Sequence, residues 1–275
     1  MKRSSVEVVI RVRPMRQDLD ESKSSWEIHK KNIAERGSDT AHFTFDRIYK
    51  PDSNTVDIYE QCVRDTIVKN VSNGYNGTVF AYGQTGSGKS FTMLGQNAEG
   101  SHCGIVAMAV EDLFKLLEKE KAKGYQVNVF VAMLEIYNEG LRDLLVDDES
   151  NAVPLSIREN EHGVYVHNAI RRPIVNAKQC LHAIHAEAEE RRISAATGMN
   201  PKSSRSHCLI RILVEKTMTY TAGSDDDSSD GEESSLRKKI VSSLNLVDLA
   251  GSERVSKTGA TGQRMIEGGM INKSL

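Results

Sequence analysis

The sequence lacks the features of a secreted or membrane-inserted protein. Its four cysteines, Cys62, Cys103, Cys180 and Cys208, include no C-x-x-C pair, which favours isolated thiols in a reducing compartment over disulfides or a zinc site. The N-terminus has no apolar signal-peptide core, and no run approaches the roughly eighteen apolar residues of a membrane span. The sequence therefore predicts a cytosolic or nuclear protein that does not insert into a membrane.

The chain also has little net charge, with 36 Lys and Arg against 38 Asp and Glu for a formal charge of −2. Six acidic residues fall within 225–233, and removing these six negative charges leaves +4 on the rest of the chain. Because that run offers no apolar side chain to bury, we expect residues 222–236 to form a disordered acidic loop. The weakly basic remainder fits an acidic partner.

A length of 275 residues with 39% hydrophobic content suffices for one large domain with a sizeable core. Residue patterns predict strands near 6–12, 42–46, 78–82, 125–137, 207–220 and 236–248, helices near 55–71, 105–124 and 176–195, a hairpin at 157–170, a turn or helix at 141–146, and irregular chain at 15–40. This alternation predicts an α/β fold with a central mixed, mainly parallel sheet flanked by helices. The last two strands should form a hairpin with the acidic loop at its tip.

The most informative motif is a G-x-x-x-x-G-K-[ST] loop between an apolar strand pattern and a helix start. It comprises Gly83, Gln84, Thr85, Gly86, Ser87, Gly88, Lys89 and Ser90. The glycines let backbone N–H groups turn toward phosphates, while Lys89 would reach the β- and γ-phosphates and Ser90 would hold Mg²⁺. The alternative is a plain glycine-rich turn, which the flanking strand and helix disfavour. The motif predicts binding of a nucleoside triphosphate.

A second motif follows the last strand pattern, which ends at Asp248 and is followed by Gly251. An acidic residue at this place suits an outer ligand of Mg²⁺. A D-x-x-G glycine lets its N–H approach the γ-phosphate, so that the loop moves when the phosphate leaves. The alternative is an ordinary strand-to-loop transition, but beside a phosphate loop we favour the functional interpretation.

A third cluster, residues 200–207, has the sequence N-P-K-S-S-R-S-H and lies between a helix and a strand. A capping loop would account for its serines but not for the full string. Together with the two motifs above and Arg11-Val12-Arg13-Pro14, it resembles, in order and spacing, the four nucleotide-site motifs of the kinesin motor domain. The strings L-E-I-Y-N-E at 134–139 and I-N-K-S-L at 271–275 also look like kinesin, so the resemblance covers essentially the whole chain.

The resemblance implies a P-loop NTPase-like fold of the kinesin motor type and a microtubule-stimulated ATPase. Such a domain hydrolyses Mg-ATP and couples γ-phosphate release to microtubule binding and movement, chiefly by positioning and charge stabilisation. The implied cofactors are ATP and Mg²⁺, and the implied partner is the microtubule (α/β-tubulin) rather than nucleic acid. The implied location is the cytoplasm and its cytoskeleton.

On the adenine side, the resemblance assigns Arg11 and Pro14 to frame the base, with Arg13 in the same motif. Phe91 would offer an aromatic face on the other side of the base. The alternative for Phe91 is helix packing alone.

On the phosphate side, the resemblance makes Ser204 complete the Mg²⁺ shell with Ser90, which stands where the family usually has Thr and keeps the hydroxyl. Ser203 would position the attacking water or relay its protons. Arg205 and Glu253 would form a salt bridge that closes the site before hydrolysis. The expected catalytic set is Ser203, Ser204, Arg205, Gly251 and Glu253, and the expected metal set is Ser90, Ser204 and, as an outer ligand, Asp248.

Kinesin motor domains continue for several tens of residues beyond the equivalent of Leu275, so we expect residues 1–275 to be a partial motor domain with uncertain activity alone. Homo- or hetero-oligomers would then form through regions beyond this chain. The remaining candidates for tubulin contact are Arg158, Arg254, Lys257, Arg264 and Lys273. The alternative is that these are ordinary solvated basic residues.

Two other functions remain open at this point. One is a short protein that binds nucleotide or tubulin without stepping. The other is a regulatory switch of the GTPase type, which is disfavoured because the sequence has no guanine-selecting N-K-x-D string.

Overall fold

The computed structural model describes residues 6–15, 25–37, 42–96, 103–147, 152–160, 163–194, 204–221, 235–253, 269–271 and 273. The chain divides into two compact units, residues 1–58 and 59–275. Within the described part of the chain, no helix is both long enough and apolar enough to cross a membrane.

The described residues of the first unit form two small sheets followed by a short helix. Its elements are β1 (Val9–Arg11), β2 (Trp26–His29), β3 (Asn32–Glu35), β4 (His42–Thr44), β5 (Arg47–Tyr49) and α1 (Thr55–Ile58). β1 and β5 pair in parallel, whereas β2, β3 and β4 form an antiparallel sheet.

β2 and β3 lie within residues 15–40, so the prediction of irregular chain was wrong at these positions. The two strands pair antiparallel with Ile28 directly opposite Ile33. The turn between them places Lys30 at a φ of 52°, and lysine is not among the residues that signal such a turn. Strands that are short and half-exposed show little alternation of apolar and polar residues, and a turn without its usual residues does not indicate where they pair.

The second unit alternates helices with the strands of a larger sheet. Its elements are a π-helical segment (Tyr59–Val68), α2 (Lys69–Ser72), β6 (Gly77–Ala81), α3 (Lys89–Met93), α4 (Ile105–Ala122), β7 (Gln126–Tyr137), β8 (Gly140–Asp143), β9 (Ser156–Asn160), β10 (Gly163–His167), β11 (Arg172–Ile174), α5 (Ala177–His182), a second π-helical segment (Ala183–Ala188), α6 (Glu189–Ser194), β12 (His207–Thr221) and β13 (Ser235–Asp248).

Residues 141–146, expected as a turn or helix, instead include β8. This strand folds back on β7 through Asn138 and Glu139, which both have a positive φ.

Within the described residues, the central sheet of this unit has six strands in the order β11-β7-β12-β13-β6, with β8 paired to β7. The predicted α/β fold with a mixed sheet is confirmed, but the expectation of a mainly parallel sheet is wrong. β13 and β6 pair in parallel, while the other described pairs of this sheet are antiparallel. The reason is connectivity, because β7–β8 and β12–β13 are hairpins whose strands must run in opposite directions.

The core of this unit is built on the apolar face of α4. Val106, Val110, Leu113 and Leu117 recur at helical spacing and are at most 1% exposed, and burying side chains of this size contributes about 1.5–3 kcal/mol each. The helix ends before Gly124, which takes a φ of 94° as a helix-terminating glycine should. The predicted extent of this helix is therefore confirmed.

The β12–β13 hairpin leads to the predicted site. Its register pairs Thr221 with Ser235 at one end and Cys208 with Asp248 at the other. β13 begins at Ser235, so the last two residues of the predicted acidic loop belong to a strand, while residues 222–234 lie outside the described part. β6 runs beside β13 with Ala81 opposite Asp248, so the phosphate loop leaves the sheet where β13 ends.

Candidate nucleotide site

The phosphate loop turns from β6 into α3 through glycines in the left-handed region. Gly86 has a φ of 77° and Gly88, which caps α3, has a φ of 102°, and residues with side chains rarely adopt such angles. Ser87 N donates to the Gln84 carbonyl at 3.1 Å. Because α3 spans only Lys89–Met93, anion binding here depends more on the loop N–H groups than on a helix dipole.

Lys89 folds back over the loop that precedes it. Its Nζ donates to the Gly83 carbonyl at 2.8 Å and to the Gln84 carbonyl at 3.0 Å. Burial lowers the pKa of the Lys89 ammonium, while the carboxylates of Asp248 and Glu253 act in the opposite direction. The positive charge expected to reach the β- and γ-phosphates is thus held at the loop itself.

Ser90 and Asp248 meet where α3 begins and β13 ends. Ser90 Oγ donates to Asp248 Oδ2 at 2.5 Å. Asp248 is 4% exposed, and its Oδ1 has no hydrogen-bond partner within the described part of the chain. A hydroxyl beside a buried carboxylate with one unsatisfied oxygen is a hard-oxygen donor set, which fits Mg²⁺ and its bound water.

The loop after β13 is fastened on two sides. Ser252 N donates to the Gly83 carbonyl at 3.1 Å, and Gly251 N donates to the Ser204 carbonyl at 2.8 Å. The Gly251 N–H that we expected to approach the γ-phosphate therefore has a protein partner here. It must exchange that partner in order to bind a phosphate oxygen.

Glu253 binds the phosphate loop through Thr85. Its Oε2 accepts from the Thr85 backbone N at 2.9 Å, and its Oε1 accepts from Thr85 Oγ1 at 2.7 Å. Burial acts to raise the pKa of Glu253, but the hydrogen bonds from Thr85 and the charge of Lys89 outweigh it and lower the pKa. Both carboxylate oxygens are engaged by Thr85, and the salt bridge between Arg205 and Glu253 stays a prediction.

The remaining residues expected on the phosphate side are only partly described. Ser203 lies outside the described residues, and Ser204 and Arg205 open the described segment that leads into β12. Phe91, which is expected on the adenine side, is half-buried within α3. The structure therefore brings Ser204 to the loop after β13 through its backbone, and the roles of Ser203 and Arg205 stay predictions.

The residues expected to frame the adenine lie in two units. In the first unit, Arg11 is the last residue of β1, and its Nη1 donates to Thr55 Oγ1 at 3.0 Å. Burial lowers the pKa of Arg11. Arg13 and Pro14 follow it and are exposed, and the framing of adenine stays a prediction.

Sequence reasoning missed Arg192 and gave His207 no role. Arg192 on α6 is 1% exposed; its Nη1 lies 3.7 Å from Asp248 Oδ2 and its Nη2 donates to the Ser206 carbonyl at 3.4 Å. His207 Nδ1 accepts from Ala250 N at 3.1 Å. His207 belonged to a quoted motif, whereas Arg192 gave no signal, because an arginine in the string E-E-R-R looks like a solvated one.

The described candidates for tubulin contact already have partners within the protein. Outside the described residues lie Arg254, Lys257 and Arg264. Arg158 is exposed on β9 and donates from Nε to Ser156 Oγ at 3.3 Å. Lys273 forms an ion pair with Glu139 at 3.5 Å.

A mixed sheet with a phosphate loop at its edge, and with an acidic strand end hydrogen-bonded to the loop serine, defines a P-loop nucleotide-binding protein. The chain belongs to the kinesin motor domain family, whose model matches residues 5–275. The expectation that the chain belongs to the kinesin motor domain family is thereby confirmed.

Individual relatives show the same similarity. Kinesin-related protein 4 of Dictyostelium discoideum is 40% identical over 274 residues, covering 98% of this chain and 13% of that protein. Kinesin-like protein KIN-7O of Arabidopsis thaliana is 39% identical over 98% of this chain and 20% of its own length. Human Centromere-associated protein E is 36% identical over 98% of this chain and 10% of its own length. The chain thus spans at most 20% of the length of these three relatives.

Solved kinesin structures share the fold. A fast kinesin, described with implications for its ATPase mechanism and interactions with microtubules, is 33% identical with a TM-score of 0.77, covering 98% of this chain and 72% of that one. A structure described as kinesin 6 is 25% identical with a TM-score of 0.75, covering 98% and 79%. The predicted kinesin motor fold is therefore confirmed.

Proposed function

We propose that this chain binds Mg-ATP at its phosphate loop, hydrolyses it in a microtubule-stimulated reaction and couples γ-phosphate release to microtubule binding and movement. The observation that carries the proposal is that Ser90 binds Asp248 while Thr85 binds Glu253. The phosphate loop is thus joined to both the end of β13 and the loop that follows it. A γ-phosphate arriving at the phosphate loop would change these contacts directly.

Lys89 supplies the positive charge for the β- and γ-phosphates. To do so, its ammonium leaves the carbonyls of Gly83 and Gln84, to which it donates at 2.8 and 3.0 Å. The donor is charged in both arrangements, but phosphate oxygens carry negative charge and carbonyl oxygens do not, so the ammonium is attracted more strongly to the phosphates. The exchange therefore favours the nucleotide-bound arrangement.

Mg²⁺ would be held by the hydroxyls of Ser90 and Ser204, with Asp248 as an outer ligand. Bound there, the ion would neutralise charge on the phosphate oxygens. Asp248 Oδ1 is buried without a hydrogen-bond partner within the described residues, so it supplies an acceptor that a metal-bound water requires.

Closure of the site would move Glu253 from Thr85 to Arg205. That salt bridge would join the loop after β13 to the segment before β12 across the γ-phosphate, while Ser203 positions the attacking water. Excluding solvent strengthens each of these contacts. On the other side of the nucleotide, Arg11, Arg13, Pro14 and Phe91 would frame the adenine.

The microtubule contact would use basic side chains against the acidic tubulin surface, and a microtubule partner sets the location at the cytoplasmic cytoskeleton. The proposed contact residues are Arg158, Arg254, Lys257, Arg264 and Lys273.

Turnover of ATP and of GTP, each with and without microtubules, tests the proposal. We expect ATP to be hydrolysed in preference to GTP, with a rate that rises as microtubules are added. Equal turnover of GTP would instead indicate a regulatory switch. Nucleotide binding without stimulation by microtubules would indicate a protein that does not step.

A matched pair at Ser90 tests the site itself. Ser90→Thr keeps the hydroxyl and should retain Mg²⁺-dependent ATP binding. Ser90→Ala removes the hydroxyl that donates to Asp248 and should weaken Mg²⁺-dependent binding by about tenfold or more, because Mg²⁺ would lose one of its two proposed hydroxyl ligands. Equal binding by both variants would contradict the assignment of Ser90.

A further inference from the structure

We propose that His207 is a positioning residue that anchors the loop after β13 while Gly251 exchanges its hydrogen-bond partner. This inference rests on the proposed function, in which that loop senses the γ-phosphate. The anchoring contact is the hydrogen bond from Ala250 N to His207 Nδ1, at 3.1 Å. It joins the first residue of β12 to a residue just beyond the end of β13.

The anchor is buried on both sides. His207 is 3% exposed and Ala250 is 0% exposed. A buried N–H that loses its acceptor bears the cost of desolvation without compensation. The Ala250 N–H is therefore held to the imidazole unless another acceptor enters the same buried place.

Two adjacent N–H groups of this loop have acceptors in different places, one within the sheet and one outside it. His207 is fixed in β12, opposite Ile136 of β7 in the sheet register. Ser204, whose carbonyl accepts from Gly251 N at 2.8 Å, lies before β12 and outside the sheet. Gly251 can thus change its acceptor while Ala250 keeps its own, and the loop turns about a fixed point.

The imidazole must accept at Nδ1, and its surroundings favour the neutral ring. Burial lowers the pKa of His207, and the nearby Arg192 guanidinium acts in the same direction, while Asp248 opposes them. Glu135 of β7 lies opposite the neighbouring Cys208. With Nδ1 as acceptor, the proton of the neutral ring resides on Nε2.

Two amide variants of the 275-residue chain separate the acceptor from simple packing. In His207→Asn the side-chain oxygen stands as many bonds from Cα as Nδ1 does, whereas in His207→Gln it stands as far as Nε2. We expect His207→Asn to keep kcat within about threefold of the parent and His207→Gln to lower kcat about tenfold, with KM changed less than about threefold in both. An unchanged kcat in His207→Gln, or equal losses in two folded variants, would overturn the proposal.

Nitrogen-15 NMR of the unsubstituted chain gives a second measurement that does not depend on either variant folding. We expect His207 Nδ1 to be unprotonated and hydrogen-bonded, and the Ala250 amide to be strongly protected from exchange. A protonated Nδ1 would overturn the anchor. Absence of ATP turnover in the unsubstituted chain would contradict the proposed function, while the NMR result would still decide whether the His207 contact exists.

Discussion

The β12–β13 hairpin is held differently at the nucleotide site and further along its length. At the nucleotide site, Asp248 and Gly251 are bound by Ser90 and Ser204, which lie at the start of a short helix or outside regular structure. One of these contacts is a hydrogen bond donated by a hydroxyl, and the other is a hydrogen bond accepted by a carbonyl. A phosphate oxygen or a metal-bound water can replace such partners.

Further along β12, Lys216 makes a buried ionic contact. Its Nζ donates to the Ser72 carbonyl at the end of α2, at 2.5 Å, and to Glu120 Oε2 on α4, at 2.7 Å. The ammonium lies 5.0 Å from the centroid of the Tyr125 ring, and Lys216 is 2% exposed. Separating a buried ion from its partners is costly, so this contact resists exchange.

The comparison shows that the same pair of strands is held firmly at one place and carries a loop that can change its partners at another. The ionic contact of Lys216 fixes the hairpin to two helices, and the hydrogen bonds beyond Asp248 leave the following loop able to change partners. The loop after β13 can move in a defined direction only if the hairpin that carries it stays in place. Variants near the nucleotide should therefore lose function, and variants at Lys216 should lose stability.

The largest effect is expected for Lys89→Ala, which removes the ammonium now bound to Gly83 and Gln84. We expect ATP affinity to fall about 100-fold or more, because two hydrogen bonds from a charged donor to the phosphates are lost. Titration with a fluorescent ATP analogue measures this. Lys115→Ala on the exposed side of α4 is the control and should bind normally, and near-normal affinity in Lys89→Ala would refute the phosphate-loop assignment.

Gly251→Ala should prevent the loop after β13 from rearranging while leaving the initial binding of ATP intact. A Cβ at this position would clash with the Glu253 carboxylate and with Thr85 Oγ1, so the Glu253 side chain would have to leave its present place beside Thr85. We expect kcat to fall about 100-fold, since small displacements of catalytic groups have effects of that size, and ATP affinity to change only a few-fold. Steady-state turnover and ATP titration together measure both quantities.

Gly269→Ala is the matched control for that variant, because no described residue lies within 4 Å of a Cβ built there. It should leave basal turnover unchanged. If Gly251→Ala turned over ATP as fast as Gly269→Ala, the close approach at Gly251 would have no part in the reaction.

Lys216→Met should act in the opposite way, lowering stability and sparing nucleotide affinity. It leaves Glu120 near the interior with Lys123 as its remaining described ionic partner, and we expect the free energy of unfolding to fall by about 2–4 kcal/mol. Chemical denaturation measures this. Lys115→Met, which breaks exposed ion pairs on α4, should lower the free energy of unfolding by less than about 1 kcal/mol. Equal losses in the Lys216 and Lys115 variants would contradict the special stability of the buried Lys216 contact.

Sequence patterns predicted the parts of the site that depend on local order. The phosphate loop from Gly83 to Ser90, the strand ending at Asp248 and the β12–β13 hairpin each follow from residue types at fixed spacing. They could be predicted because glycine conformation, strand alternation and chain connectivity are local properties.

The contacts between these segments could not be predicted in the same way. Glu253 binds Thr85 across 168 positions of the chain, and Arg192 approaches Asp248 from α6. Such pairs depend on how elements pack, which no short window of sequence records. The same limit explains why Lys216 was not singled out, since a lysine on a strand ordinarily points to solvent.

The smallest effect is expected for Thr85→Val, which removes the Oγ1 hydrogen bond to Glu253 and keeps the one from the backbone N. We expect kcat to change about threefold or less, because one neutral donor to a half-buried carboxylate that keeps its other hydrogen bond contributes little. Thr85→Ser keeps the hydroxyl and should match the parent chain. Identical kcat and stability in the Val and Ser variants would show that the hydrogen bond from the Thr85 hydroxyl contributes to neither turnover nor stability.

Acid should erase the difference in stability between Thr85→Val and the parent chain. Since the folded structure lowers the pKa of Glu253, its contact with Thr85 contributes fully above the ordinary Glu pKa of about 4.3. The contribution is lost as the pH falls through the lower folded pKa, because the protonated carboxyl no longer attracts both donors. Denaturation of both proteins at pH 7 and near pH 3 measures this, and a gap that widens in acid would mean that Thr85 stabilises the protonated form.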